Sequence, residues 1–249
     1  MIFTTIIFGI FVLKTICLVS VTSQTTAAVH HDCRGVGGLS ITNIVTLSGR
    51  RFTVLCRDGR LVIARRFDGS VNFNRNWEEY KNGFGDASGE YFIGFENLIA
   101  LLHQKRYALR IELTTWDLQT KYANYGGFDI DSEANKYKLR LSGYSGTAGD
   151  AFMKRHSGKL FSTKDRDNDN HSGNCSAERN GAYWYDACTD SNLFGHYSTG
   201  PKCDVFARCI TWIKWPEKFL DDDKVEVSVS WYSFKFMEMS ILAYKRYAL

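Results

Sequence analysis

No run of basic residues longer than a pair occurs in this chain. Arg50-Arg51 and Arg65-Arg66 are typical, and the 31 Lys and Arg exceed the 27 Asp and Glu by only four. Without a basic stripe or a recognition motif, nucleic acid is not an expected partner. There is no CxxC pair, which speaks against a zinc ribbon or a thioredoxin-like motif. Gly-x-Ser-x-Gly, the Walker loop and His-Glu-x-x-His are all missing. Gly35-Val36-Gly37-Gly38 has no strand before it to make a dinucleotide loop. Nothing singles out a glycosidase-like carboxylate pair, so the protein is not expected to be an enzyme. Beyond the first two dozen residues no apolar run approaches the ~20 residues of a membrane span. Proline is limited to Pro201 and Pro216, and no internal repeat, low-complexity tract or heptad stalk is visible.

What is present begins with Ile2 to Leu13, almost wholly apolar, then Lys14 and a second apolar stretch ending at Val21-Thr22-Ser23. Lys14 breaks the run below spanning length, and small residues stand where cleavage would occur. Residues 1–23 therefore read as a secretory signal peptide, followed by a short linker over 24–32 and one domain over 33–249. A secreted, extracellular protein is expected. His30-His31-Asp32-Cys33 has metal-like composition but sits where leader meets fold, and reads as a flexible entry segment. Of seven cysteines, Cys17 falls in the leader, leaving Cys33, Cys56, Cys175, Cys188, Cys203 and Cys209. An even count behind a signal peptide implies disulfides; six cysteines allow 15 pairings, of which proximity favours 33–56, 175–188 and 203–209.

Phe52–Leu55 and Leu61–Ala64 are β-rich runs around the turn signal Arg57-Asp58-Gly59, which predicts a hairpin. Asn76 is placed to cap a short helix over Trp77–Lys81 that stops at Gly83. Phe95, Leu98, Ile99 and Leu102 have helical spacing and predict a second helix over 95–104. Tyr107, Leu109, Ile111 and Leu113 alternate with polar or small residues, the pattern of a half-buried strand, and Tyr137, Leu139 and Leu141 repeat it. From Gly146 to Cys209 periodicity fades, so a loop-rich region with other staples is expected. Strands return over 225–229 and 241–244.

Several long motifs then occur in a telling order. They are Arg65-Arg66-Phe67-Asp68-Gly69-Ser70-Val71-Asn72-Phe73, Asn76-Trp77, Tyr80 to Gly85, Gly143 to Asp150, Asn174-Cys175, Gly181 to Tyr185 with Cys188, Ser191-Asn192-Leu193 and Gly195-His196-Tyr197. From Cys33 to about Tyr244 the sequence closely resembles the fibrinogen-related domains, the family of fibrinogen chains, ficolins, tachylectins, angiopoietins and tenascins. The resemblance implies an α+β fold: a stapled N-terminal hairpin region, a central twisted antiparallel sheet with two helices, and a loop-rich ligand region. It also implies the pairs 33–56 and 175–188. Cys203 and Cys209 are additional to the usual pattern, and a third bridge is expected rather than two free thiols.

Asp165 to Gly173 concentrates three carboxylates in five residues, a repulsion that a cation relieves. Oxygen ligands favour Ca²⁺, but an EF-hand fails, because Asn170 and Ser176 stand where Gly and Glu are needed. The loop resembles the family's calcium loop. The matching ligands are the side chains of Asp167 and Asp169 and the carbonyls of His171 and Gly173, with Asp165 as an acceptor or turn former. The competing reading is a solvated acidic loop. Asn170-His171-Ser172 and Asn174-Cys175-Ser176 are glycosylation sequons beside it, for which low occupancy is expected.

In lectin members of the family a pocket beside this loop recognises acetyl groups, and a non-proline cis peptide there aims N–H groups at the ligand. The matching bond is Ala187–Cys188. Tyr183, Trp184, Tyr185 and Tyr197 are the expected aromatic walls, with core packing as their alternative. Two departures stand out. Thr189 replaces a frequent His, and Arg179, beside Glu178, brings a cation suited to a carboxylate ligand or simply a solvated surface. Pro216 to Ser230, with Asp221-Asp222-Asp223, is an unusual insertion able to reshape one wall. The expected function is a secreted lectin-like protein binding glycan or glycoprotein ligands on cell surfaces in innate immune recognition. The alternative is a protein- or receptor-binding module. Without a stalk, multivalency would need a homo-oligomer.

Overall fold

The turn at Asp58-Gly59 organises the start of the domain. Both residues have positive φ, 47° and 79°, as a two-residue hairpin turn matched to strand twist requires. The turn joins the second and third of three strands, β1 (Leu39–Val45), β2 (Arg51–Arg57) and β3 (Arg60–Arg66). The computed structural model describes residues 29–220 and 223–244. The leader over 1–23, most of the 24–32 linker and Asp221-Asp222 lie outside these described residues. Cys33 and Cys56 are bonded beneath the hairpin.

Helix α1 (Trp77–Asn82) starts at the expected cap. Asn76 Oδ1 accepts from Glu79 N, and Glu79 in turn accepts from Asn76 N, a reciprocal capping box. Two short strands, β4 (Phe84–Gly85) and β5 (Tyr91–Phe92), precede helix α2 (Phe95–Leu102), which buries Phe95, Leu98, Ile99 and Leu101. Strand β6 (Tyr107–Thr114) is buried at every second residue, as its alternation predicts. It pairs with β7 (Thr120–Ile130), which pairs with β8 (Leu139–Gly146). Among the described residues, the loop-rich region holds α3 (Met153–His156), α4 (Cys175–Glu178), a two-stranded ribbon of β9 (Phe219–Leu220) and β10 (Glu226–Val227), and a 3-10 turn. The last strand, β11 (Phe236–Ala243), enters the middle of the sheet. The order is β1-β2-β3-β11-β6-β7-β8, antiparallel throughout, with β5 beside β3 and β4 beside β5.

Several expectations need correction. The strand over 225–229 is only Glu226–Val227, because a 3-10 turn over Val229–Trp231 follows at once. Tyr137 is not in a strand; its φ of 50° follows the 3-10 turn Glu133–Asn135. Strands β1 and β7 have no counterpart among the expected elements. The entry segment is pinned rather than flexible: Val45 N donates to His30 O at 2.8 Å, and Asp32 pairs with Lys105 at 2.6 Å. Among the described residues, no helix is long and apolar enough to cross a membrane.

The segment after β3 is tied to the sheet through one buried carboxylate. Glu90 Oε1 accepts from the backbone N–H of Phe67, Asp68 and Gly69, and Oε2 accepts from Val71 N. Arg66, also buried, lies 3.5 Å from Glu90 and donates to Gly195 O at 2.8 Å. Removing the carboxylate strands four N–H groups and a buried cation. Glu90→Ala is therefore expected to cost at least ~3 kcal/mol in denaturant unfolding, or to prevent folding. A loss below ~1 kcal/mol would show that water replaces the carboxylate freely.

Candidate functional site

The loop 164–174 is built by alternation. Asn168 turns inward, its N–H donating to Ser162 Oγ and its Nδ2 to Phe161 O. Asn170, although exposed, is tied to Asp186 through its backbone N–H and its Nδ2. The odd-numbered Asp167 and Asp169 are left to each other. Asp167 Oδ1 accepts from Asp169 N at 3.1 Å; Asp169 Oδ1 accepts from His171 N at 2.9 Å and Oδ2 from Cys175 N at 3.0 Å. Asp165 is separate, accepting from Trp77 N and Thr163 Oγ1 and so anchoring α1. Burial, reinforced by the Asp167 carboxylate beside it, pushes Asp169 up to about 6, against the pull of its two backbone donors. Among the described residues neither Asp167 nor Asp169 pairs with a Lys or Arg. Paired carboxylates without a cationic side chain, on a loop with free carbonyl chemistry at His171 and Gly173, suit a hard cation such as Ca²⁺.

A second convergence adjoins the first. His171, Glu178 and Cys188 bring ligand-type atoms within 4.8 Å of one another. Cys188 Sγ is bonded to Cys175, so it offers no thiolate and the trio is a poor metal site. It does mark where the calcium-type loop, α4 and the 186–190 segment meet. Asn174 caps α4 by accepting from Ala177 N, so its amide is committed to structure, whereas Asn170 is exposed.

The 186–190 segment carries the cis Ala187–Cys188 bond. It is braced by His156, fully buried, whose Nε2 accepts from Asp190 N at 3.2 Å. Nδ1 is then the protonated nitrogen, donating to Trp184 O at 2.8 Å. Lys159 and the Asn170 amide hold the Asp186 carboxyl below its usual range. Thr189 Oγ1 donates to Ser191 O, so this hydroxyl supports the loop.

The expected aromatic walls divide. Tyr183, Trp184 and Tyr185 are not walls: all three are fully buried. Trp184 Nε1 donates to Tyr137 O and its ring packs on Phe161 and Phe95. Tyr183 shares a hydrogen bond with Ser191 Oγ, and Tyr185 donates to Asn192 Oδ1. Tyr197 lies elsewhere, its hydroxyl bonding the carbonyls of Phe67 and Lys235. The aromatic that does reach the rim is Phe206, 42% exposed, edge-on to Trp231 at 5.9 Å. Arg179 Nη1 donates to Phe206 O at 3.3 Å, and Arg208 Nε donates to Glu178 O at 2.7 Å. Phe206 stands in the loop closed by Cys203–Cys209. The Cys-x5-Cys spacing was the available signal, since so short a ring cannot fold its apex inward.

The family profile of the fibrinogen beta and gamma chains, C-terminal globular domain, matches residues 32–244. Mouse fibrinogen C domain-containing protein 1 is 42% identical over 189 residues, which cover 74% of this chain and 38% of that protein. The chain thus spans about two fifths of that relative's length. The fibrinogen-like globe domain of human ANGPTL6 superposes with a TM-score of 0.79 at 32% identity, covering 88% of this chain and 97% of that one. Lamprey fibrin D-dimer, complexed with the peptide ligand Gly-His-Arg-Pro-amide, gives 0.79 at 31% identity over 91% of this chain and 77% of its own.

Burial lowers the His156 pKa from 6.5 to about 4. The folded state holds the ring neutral, so the unfolded chain binds the extra proton between those values. This contribution is intact above pH ~6.5 and is lost as pH falls toward ~4, by roughly 3 kcal/mol in all. Unfolding free energies at pH 7 and pH 4.5 should show a smaller acid loss for His156→Gln than for the parent. Equal losses would mean that His156 is hydrated in the fold.

Proposed function

The protein belongs to the family of the C-terminal globular domain of fibrinogen beta and gamma chains, whose members are binding or signalling modules and not enzymes. On that premise we propose that it is a secreted, calcium-binding recognition protein that reads acetylated or anionic glycans at the rim of Glu178, Arg179, Cys188, Thr189 and Phe206. The observation that supports this most is the double anchorage of Asp169. One of its oxygens holds His171 N and the other Cys175 N, so the acidic loop and the disulfide at the rim share one carboxylate. Asp167 and Asp169, with the carbonyls of His171 and Gly173, would hold the ion, which supplies positive charge against their mutual repulsion.

At the rim, Phe206 offers a ring for a sugar face or an acetyl methyl. Arg179 offers a guanidinium whose fork suits a carboxylate. Three disulfides suit an oxidising, extracellular setting. A second reading, docking of a peptide or receptor at the same rim, is favoured by the lamprey fibrin D-dimer, which is complexed with a peptide ligand.

Calcium at about a hundredfold its Kd should stabilise the fold by about 2.7 kcal/mol. That gain should vanish with chelator and in the Asp167→Ala/Asp169→Ala variant, read as the unfolding temperature. An unshifted parent would leave the loop as an acidic turn. On a glycan array, calcium-dependent binding that prefers acetylated sugars to their deacetylated forms, and weakens in Phe206→Ala, supports the lectin reading. Binding of basic peptides with no glycan signal would replace it with the second.

A further inference from the structure

The sheet has two outer edges, and the fold treats them differently. At one end Leu139 of β8 is covered. Its N–H donates to Lys159 O at 3.0 Å, its C=O accepts from Gly158 N at 2.7 Å, and Leu141 N donates to Ser157 Oγ at 2.9 Å. At the other end lies β1. Thr46 N donates to Arg50 O and Asp58 N donates to Gly38 O, and the register between these two bonds is unbroken. Even-numbered residues of β1 therefore bond to β2, and odd-numbered ones point their N–H and C=O outward. Val45 shows this parity: its N–H donates to His30 O at 2.8 Å, and its C=O accepts from His31 Nδ1 at 2.6 Å. Leu39 and Ile41 have no such cover. Among the described residues their outward N–H and C=O groups have no partner. Their side chains are exposed as well, by 60% and 53%.

Natural edge strands are blunted by a charge, a proline or a bulge. From Leu39 to Leu47 there is no charged residue and no proline, and no bulge interrupts the pairing with β2. Such an edge is a template for another strand. With β8 covered, a second copy has only its own β1 to offer. We propose that β1 is an interface between two copies of this chain, paired antiparallel about a two-fold axis through Ser40. Leu39 then lies opposite the partner's Ile41, and Ile41 opposite the partner's Leu39. Each of these pairs exchanges two backbone hydrogen bonds, and the exposed apolar side chains meet on one face of a continuous sheet. This register stays clear of His30. One centred on Thr42 would lay the second strand over Val45, whose N–H and C=O are already taken. The contact is isologous and closes at two copies. One short strand from each copy buries less than the ~1,200 Å² of a standard interface, so the association is weak and reversible. It doubles the ligand sites per particle and does not rest on which ligand the rim reads.

The test is sedimentation velocity on the mature chain from about 10 µM to about 1 mM, with amide hydrogen exchange read by NMR over the same range. A monomer–dimer equilibrium is expected. Exchange at Leu39 and Ile41 should slow as concentration rises, while exchange at Val45 stays constant. Ile41→Lys changes an exposed side chain and places on the edge the residue that opposes pairing. It should raise the dissociation constant by about tenfold or more and leave the unfolding temperature where it was. Ile41→Val should dimerise like the parent. A monomer throughout the range would overturn the proposal. So would a dimer that Ile41→Lys leaves unchanged, which would put the contact elsewhere on the molecule. Protection of Leu39 and Ile41 that does not vary with concentration would also overturn it, the edge then being occupied by another part of the same chain.

Discussion

The loop-rich face of this fold depends on a carboxylate buried beneath it, that of Glu90. Glu90 gathers the backbone of residues 67–71 into a tight turn by accepting four N–H groups, and it neutralises Arg66 beneath that turn. Arg66 then reaches across to Gly195 O, and the Tyr197 hydroxyl returns to Phe67 O and Lys235 O. A buried ion pair of this kind contributes little net stability beside an apolar alternative, because desolvation offsets the attraction. Its value lies in geometry: a charge pair with this many fixed partners admits one arrangement. It ties the segment after Phe194, which belongs to no strand, to the end of β3 and the approach to β11, which already share a ladder.

The loop-rich half solves the same problem with smaller parts. Between Gly146 and Trp231 few backbone groups find partners in a sheet, so side chains take over the role that ladders play elsewhere. Asn168, Asn170 and Asp169 hold the acidic loop, Asn174 caps α4, and Asn192 Nδ2 bridges the carbonyls of Arg179 and Ala207. Beneath them a shared aromatic layer of Phe95, Tyr137, Phe161, Trp184 and Phe194 joins this half to α2. Short amide bonds fix the loops in place, and the ring layer supplies the apolar burial that they cannot.

This division explains what could be read in advance. The strand β6, the Asn76 cap and the Asp58-Gly59 turn were legible because each rests on a local rule: alternation, a capping side chain, a positive φ. Strand β7 was not, because Gly126-Gly127 interrupts its pattern where the register shifts between Tyr107 and Leu109. Strand β1 was hidden because its outer residues, Leu39 and Ile41, are exposed and apolar, which erases alternation. The family motifs located the acidic loop and the Cys175–Cys188 disulfide beside it. They said nothing of which aromatic faces outward. Three consecutive rings, Tyr183, Trp184 and Tyr185, look like a binding surface in sequence and are a core layer in space, since composition does not distinguish the two. The ring that reaches the rim, Phe206, stands in the short loop closed by the extra Cys203–Cys209 pair, outside the family motifs.

Asp169 is where stability and recognition meet most directly. Its two oxygens hold backbone on opposite sides, at His171 and at Cys175, so its charge state is tied to the distance between the acidic loop and the rim. Left beside Asp167 without a cation it drifts toward neutrality near pH 6, and a neutral carboxyl accepts hydrogen bonds less strongly than a charged one. A cation that keeps both carboxylates ionised would strengthen the bond to Cys175 N, the residue that opens α4 and carries the disulfide to Cys188. The ion would then act on the rim through one hydrogen bond and one covalent bridge, without touching what is bound there. Acid would undo the same linkage from the other direction, by protonating the group that transmits it. If the proposed calcium site holds, calcium dependence and pH dependence of binding would be two readings of one side chain.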